Sequence, residues 1–171
     1  MNDLLKMSKG NKKLKKTLIF DLPAGKTCPM AHECKSYVVM NAQGKTELKD
    51  GENNIFRCYA ASQENQYPNV YKARKYNHEL ILKYLNKKNG YFHTYELIKE
   101  SIIKNISKNI NKIRIHSSGD FFSGEYLRAW LTVARSMPQL KFYCYSKSLH
   151  LFGSNVSIPD NFFLTASFGG K

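Results

Sequence analysis

The stretch from Lys112 to Ser148 limits the fold more than any other part of this chain. It opens with KIRI, a short run rich in β-branched residues, and passes through the polar HSSGD. SGEYLRAWLTVARSM follows, with Tyr126, Leu127, Trp130, Leu131 and Ala134 recurring at helical spacing. Ser123 stands at the N-cap position and Pro138 just past the helix end. KFYCYSKS then alternates, so that Phe142 and Cys144 face one way and Tyr143 and Tyr145 the other. A strand, a helix and a strand in this order predict a right-handed parallel crossover, and hence an α/β protein on a parallel sheet.

Other segments extend the pattern. TLIF at 17–20 reads as a strand ended by the turn-forming DLPAGK, and NFFLTAS at 161–167 as a last strand. From Pro68, residues Val70, Ala73, Asn77, Leu80, Ile81, Tyr84 and Leu85 repeat at helical spacing. KKNG stops that helix with Gly90 just beyond its end, and a second helix is expected from about Thr94. The polar residues 41–54 read as an exposed excursion. Four parallel strands make at best about half of a TIM-barrel-like sheet with an open edge, which invites a partner or self-association. Residues 1–16, with six lysines against Asp3, read as a flexible basic arm, and 17–171 as a single α/β metal-binding domain.

In parallel α/β folds, ligands bind where loops leave the C-terminal ends of strands. That rule collects the loop after TLIF, then Ser117, Ser118, Gly119 and Asp120, then Ser146 and Lys147, then Ser167 on one face. The loop after the first strand carries Cys28 and Cys34, and Cys58 lies further on in FRCYAAS. No segment reads as a signal peptide or a membrane span, so a reducing cytoplasm is expected, where clustered thiols hold metal more often than disulfides. Three thiolates can carry a [4Fe–4S] cluster with one iron open. Cys28, His32, Cys34 and Cys58 would equally close a Cys₃His zinc site. Cys144, alternating with Phe142, reads as a small core residue.

The formal charge of +14 favours a polyanionic partner, above all nucleic acid. Candidate phosphate contacts are Lys12, Lys13, Lys15 and Lys16 in the arm, and Lys72, Arg74 and Lys75 on the outer side of the helix from Pro68. No base-reading motif and no catalytic motif appears, so neither DNA nor RNA is singled out and no reaction is named.

LPAGKTCPMAHEC, FRCYAASQENQYPNVYKARKYNHELI, RIHSSGDFFSGEYLRAW and PQLKFYCYSKS, in this order, resemble the phage gene product 88 family from about Leu18 to the end of the chain. That family is similar, at a distance, to radical S-adenosylmethionine proteins. The resemblance implies a [4Fe–4S] cluster on Cys28, Cys34 and Cys58, with His32 and Cys144 outside the ligand set. It gives SSGD the place of the loop for the methionyl amine of S-adenosylmethionine, with Asp120 pairing the ammonium. The spacing departs from the compact C-x₃-C-x₂-C of that superfamily, since the three cysteines here spread from position 28 to 58. A phage setting adds another expected partner, a host defence ribonucleoprotein of the CRISPR type bound through the basic face.

Overall fold

The computed structural model describes residues 3–10 and 12–169. Its elements run β1 (Met7–Lys9), β2 (Thr17–Phe20), β3 (Ser36–Met40), β4 (Thr46–Asp50), α1 (Tyr59–Gln66), α2 (Pro68–Leu85), α3 (Gly90–Asn105), β5 (Lys112–Ile115), α4 (Gly124–Ser136), β6 (Lys141–Ser146), a 3-10 turn at Leu149–Phe152 and β7 (Phe162–Ala166). The main sheet has the order β1-β2-β5-β6-β7. From β2 to β7 every pairing is parallel, as the strand–helix–strand pattern predicts, and β1 is added antiparallel on the β2 edge.

Register explains the core. Leu18, Ile113, Phe142 and Phe162 lie side by side across the four parallel strands, and Phe20, Ile115, Cys144 and Leu164 form the next row. This face is covered by Leu80 and Ile81 of α2, Leu97, Ile98 and Ile102 of α3, and Leu127, Trp130 and Leu131 of α4. Trp130 is fully buried, its ring 5.3 Å from that of Phe20. Side chains of this size each contribute about 1.5–3 kcal/mol when fully buried. Ser123 caps α4 as expected, its hydroxyl accepting from the Tyr126 N–H at 3.3 Å. The opposite face carries Ile19, Arg114, Tyr143 and Phe163 in one row and Tyr145 beside Thr165.

Three expectations need correction, and one helix is added. Part of the segment read as a flexible arm is packed: Leu5 is buried, its N–H bonded to Ser101 Oγ at 2.9 Å, and the Lys6 N–H reaches Asn77 Oδ1 at 2.8 Å. Asn77 holds the strand in place, and residues 1, 2 and 11 of that segment lie outside the described residues. The polar excursion at 41–54 contains the second strand of a hairpin, β3 with β4, whose turn is tied by Asn41 Oδ1 to the N–H groups of Gln43 and Lys45. A short helix, α1, follows Cys58. Finally, α3 starts at Gly90 instead of Thr94. Asn89 takes the left-handed turn (φ 58°), and Gly90 is needed for close approach, since a Cβ there would sit 1.8 Å from the Leu85 carbonyl oxygen. Among the described residues no helix is long and apolar enough to cross a membrane.

Candidate metal and ligand site

The loop leaving β2 cannot follow regular geometry, and three contacts fold it back over the sheet end. Thr27 Oγ1 donates to the Pro23 carbonyl at 2.7 Å, the Asp120 N–H donates to the Thr27 carbonyl at 3.2 Å, and the Leu22 N–H donates to the Ser118 carbonyl at 3.0 Å. Gly119 makes this meeting possible. Its φ is +85°, and a Cβ would lie 2.6 Å from Thr27 Oγ1. Cys28 and Cys34 sit in this loop, and Cys58 occupies the N-cap position of α1. Ser36, the first residue of β3, joins the two segments: its hydroxyl accepts from the Cys58 N–H at 3.1 Å and from the Asn54 amide at 2.9 Å.

The result is a cavity of about 640 Å³ at the C-terminal ends of β5 and β6, lined by all three cysteines together with Ser117, Ser118, Gly119, Asp120 and Lys147. Of the residues singled out from the sequence as metal or cofactor ligands, all but His32 therefore line this one cavity. Cys144 is buried in the sheet core, away from this lining, and His32 does not line it. All four cysteines are free thiols. Burial pushes the Cys28 thiol up to about 12, with the Asp120 charge adding to it. Burial also raises Cys34, while neighbouring Lys147 pulls it the other way. A metal here would have to displace protons, so binding would strengthen with rising pH. Among the described residues, no three His, Cys, Asp or Glu side chains are grouped to hold a metal ion. A tetrahedral zinc with Zn–S bonds of about 2.3 Å needs sulfurs roughly 3.8 Å apart.

Asp120 is 4 % exposed, and its carboxylate accepts from Ser146 Oγ at 2.6 Å, the Lys147 N–H at 2.8 Å and the Phe121 N–H at 2.7 Å. Burial raises its pKa and these bonds work against that rise. It thus locks the loop after β5 to the loop after β6, with both oxygens engaged. It does not cap α4. Lys147 Nζ donates to Ser167 Oγ at 2.7 Å and to the Phe168 carbonyl.

Beneath the cavity lies an ionic network with no counterpart in the sequence reading. Arg74 is buried and pairs with Glu64 at 3.0 Å and Asp21 at 3.1 Å. Glu64 Oε1 also accepts from the Ala24 N–H at 2.9 Å and Ser118 Oγ at 3.1 Å, and Asp21 accepts from Ser117 N–H and Ser118 N–H at 2.7 and 3.0 Å. Arg74, expected on the wet side of α2, is corrected to this structural role. Asp21 and Glu64 need the guanidinium because their burial would otherwise be costly. Lys72 and Lys75 are exposed on α2, with Lys75 near Glu79 at 3.5 Å, and neither lines the cavity. Lys12, Lys13, Lys15 and Lys16 are exposed in the turn before β2, and Lys13 and Lys15 line a groove on the open sheet face.

The sequence reading also passed over His116. It ends β5 with a left-handed backbone (φ 64°), is 3 % exposed and lines the cavity. Its Nε2 bonds the Tyr126 hydroxyl at 2.8 Å, and Nδ1 has no partner among the described residues. Tyr59, whose hydroxyl donates to the Ser117 carbonyl, and Arg114 line the same cavity. Arg114 could have been found: it alternates with Ile113 and Ile115 and so falls, with Lys112, on the strand face opposite the apolar one.

Fold and site together define a mostly parallel α/β protein with a three-thiol cavity at the carboxyl end of its sheet. A family model described as gene product 88 matches residues 2–171, and the chain belongs to this phage family. No curated protein and no solved structure matches it.

Proposed function

We propose that this chain holds a [4Fe–4S] cluster on Cys28, Cys34 and Cys58 and works on or beside nucleic acid. The observation that carries the cluster is the convergence of thiols from two separate stretches, the loop after β2 and the N-cap of α1, on one cavity. The donor set is wholly sulfur, which selects iron–sulfur clusters or zinc. His32, the fourth ligand a closed zinc site would need, does not line the cavity, and this favours the cluster. A three-thiolate cluster would leave one iron open to a ligand, and Ser117, Ser118, Gly119 and Lys147, which line the same cavity, would be available to hold that ligand. Asp120 is engaged with Ser146 and Lys147, so we give it a positioning role instead of direct pairing with the ammonium of S-adenosylmethionine. The strand order β2-β5-β6-β7, each strand next to its successor, supports the half-barrel reading. The charge of +14 supports a nucleic-acid partner.

Protein expressed with iron and sulfide and purified without air tests the cluster. About four irons and four sulfides per chain are expected. Each of Cys28→Ser, Cys34→Ser and Cys58→Ser should lose iron and melt at lower temperature. Stoichiometric zinc and no iron under the same conditions refutes the assignment.

A further inference from the structure

We propose that the sheet face left bare by the helices is a binding platform for single-stranded nucleic acid, running from the lysines at the start of the strands to the cysteine cavity at their ends. This deepens the nucleic-acid reading above and rests on it.

The platform follows from strand register. Lys112 and Arg114 of β5 stand beside Lys141 and Tyr143 of β6, and Tyr143 stands beside Phe163 of β7. All of these point away from the helices. Tyr145 and Phe163 are 49 % and 51 % exposed, a costly display of aromatic surface on the interior strand β6 and its neighbour β7 unless something stacks on it. At the lower end, Lys15, Lys112, Lys141, Tyr143 and Phe163 line a groove of about 400 Å³. At the upper end, Arg114 and Tyr145 line the cysteine cavity. The six residues of β6 span about 20 Å between the two.

Charge selects the occupant. Among the described residues no carboxylate lines the lower groove. Asp120, which lines the cavity, and Asp21, which lies beside Arg114, are already bonded to serines, backbone and Arg74. Among the described residues Arg114 has no carboxylate partner and its buried Nε is unbonded; its guanidinium lies 5.8 Å from the Tyr145 ring centre. An anion therefore meets lysines at one end and a guanidinium held against a ring at the other, with aromatic faces between. Phosphates and bases alternate in the same way along a polynucleotide. A four-stranded sheet with exposed aromatics stacks two or three bases by this device. The bases must be unpaired, because a duplex keeps their faces stacked on one another.

Fluorescence anisotropy of the full chain with a labelled 12-nucleotide mixed-sequence strand, as DNA and as RNA, tests the proposal. Tyr145→Ala and Phe163→Ala are each expected to weaken binding about fivefold or more with unchanged melting temperature. Lys112→Ala/Lys141→Ala should flatten the log–log salt slope by about 1.4, and Lys72→Ala/Lys75→Ala should leave affinity within twofold. Whichever of the two strands binds more tightly names the natural class. If the aromatic variants bind normally while the α2 variant weakens, nucleic-acid binding stands and the sheet platform falls. Duplex bound as tightly as single strand overturns the single-strand assignment. A wild-type dimer in sedimentation that Phe163→Ala turns into monomer gives the face to a second copy and overturns the proposal. Absence of salt-dependent binding to any oligonucleotide removes both readings.

Discussion

Replacing His116 with asparagine should change how the stability of this chain depends on pH. The imidazole is 3 % exposed, and burial lowers its pKa to about 3. In the unfolded chain it titrates near the ordinary value of about 6.5. Between those two values the unfolded state binds the proton and the folded state does not, so stability falls as the solution is acidified. The contribution is complete above pH 6.5 and lost progressively below it. At pH 5 the loss is about 2 kcal/mol, and near pH 3 it reaches roughly 4 kcal/mol. Burial raises Asp120 and Glu64, which gives a slope of opposite sign in the carboxylate range, but both groups remain in the variant and cancel in the difference. Asparagine accepts the left-handed backbone at this position (φ 64°) and does not titrate. Urea unfolding of wild type and His116→Asn at pH 8, 7, 6 and 5, with chelator present, reads the difference directly. Lost packing shifts the variant by a constant, whereas the gap should narrow by about 2 kcal/mol from pH 8 to pH 5. A gap independent of pH would show that the imidazole is not held neutral, and the reasoning would fail.

Arg74→Ala leaves Glu64 buried without its cation and should cost about 3–5 kcal/mol in urea unfolding, against less than about 0.5 kcal/mol for the exposed Lys72→Ala. Gly119→Ala combines left-handed strain of about 1–2 kcal/mol with a Cβ pressed on Thr27, and should lower the melting temperature more than alanine at the exposed Gly124, where a Cβ meets nothing. Cys144→Ala, in the sheet core, should lose about 1 kcal/mol and, under the proposed cluster assignment, load as much iron as wild type.

The parallel sheet was legible because two periods alternate cleanly between Lys112 and Ser146: Ile113, Ile115, Phe142 and Cys144 had to share a face, and α4 had to cover it. The rule that ligands gather at strand ends then placed Ser117 to Asp120, Lys147 and the cysteine loop together without any side-chain geometry. What escaped was long-range. Arg74 looks like a wet helix residue because its three neighbours in sequence, Lys72, Ala73 and Lys75, say nothing of Asp21 and Glu64, which approach from the β2 loop and α1. The strand at Met7–Lys9 is short and lysine-bearing, and only its docking through Leu5 and Asn77 makes it one. The αL position of His116 has no local sign at all.

The network under the cavity bears on why the thiols meet. The apolar cluster beside them consists of Ala24, Ala60 and Ala61, with Leu48 and Cys58 against it, too small to fix three loops. Directional bonds do that work: Arg74 links α2 to Glu64 of α1 and to Asp21 after β2, and the two carboxylates seize the backbone of Ala24, Ser117 and Ser118. Apolar side chains of similar volume can match the stability of such a buried ionic set, but they cannot fix the orientation of a backbone N–H. A triple replacement, Asp21→Leu, Glu64→Leu and Arg74→Met, should therefore keep the melting temperature within a few degrees of wild type while losing most of the iron. Arg74→Ala alone loses both. If the apolar triple variant loads iron like wild type, the sheet and the cysteine loop position the thiols unaided, and the ion pairs serve stability only.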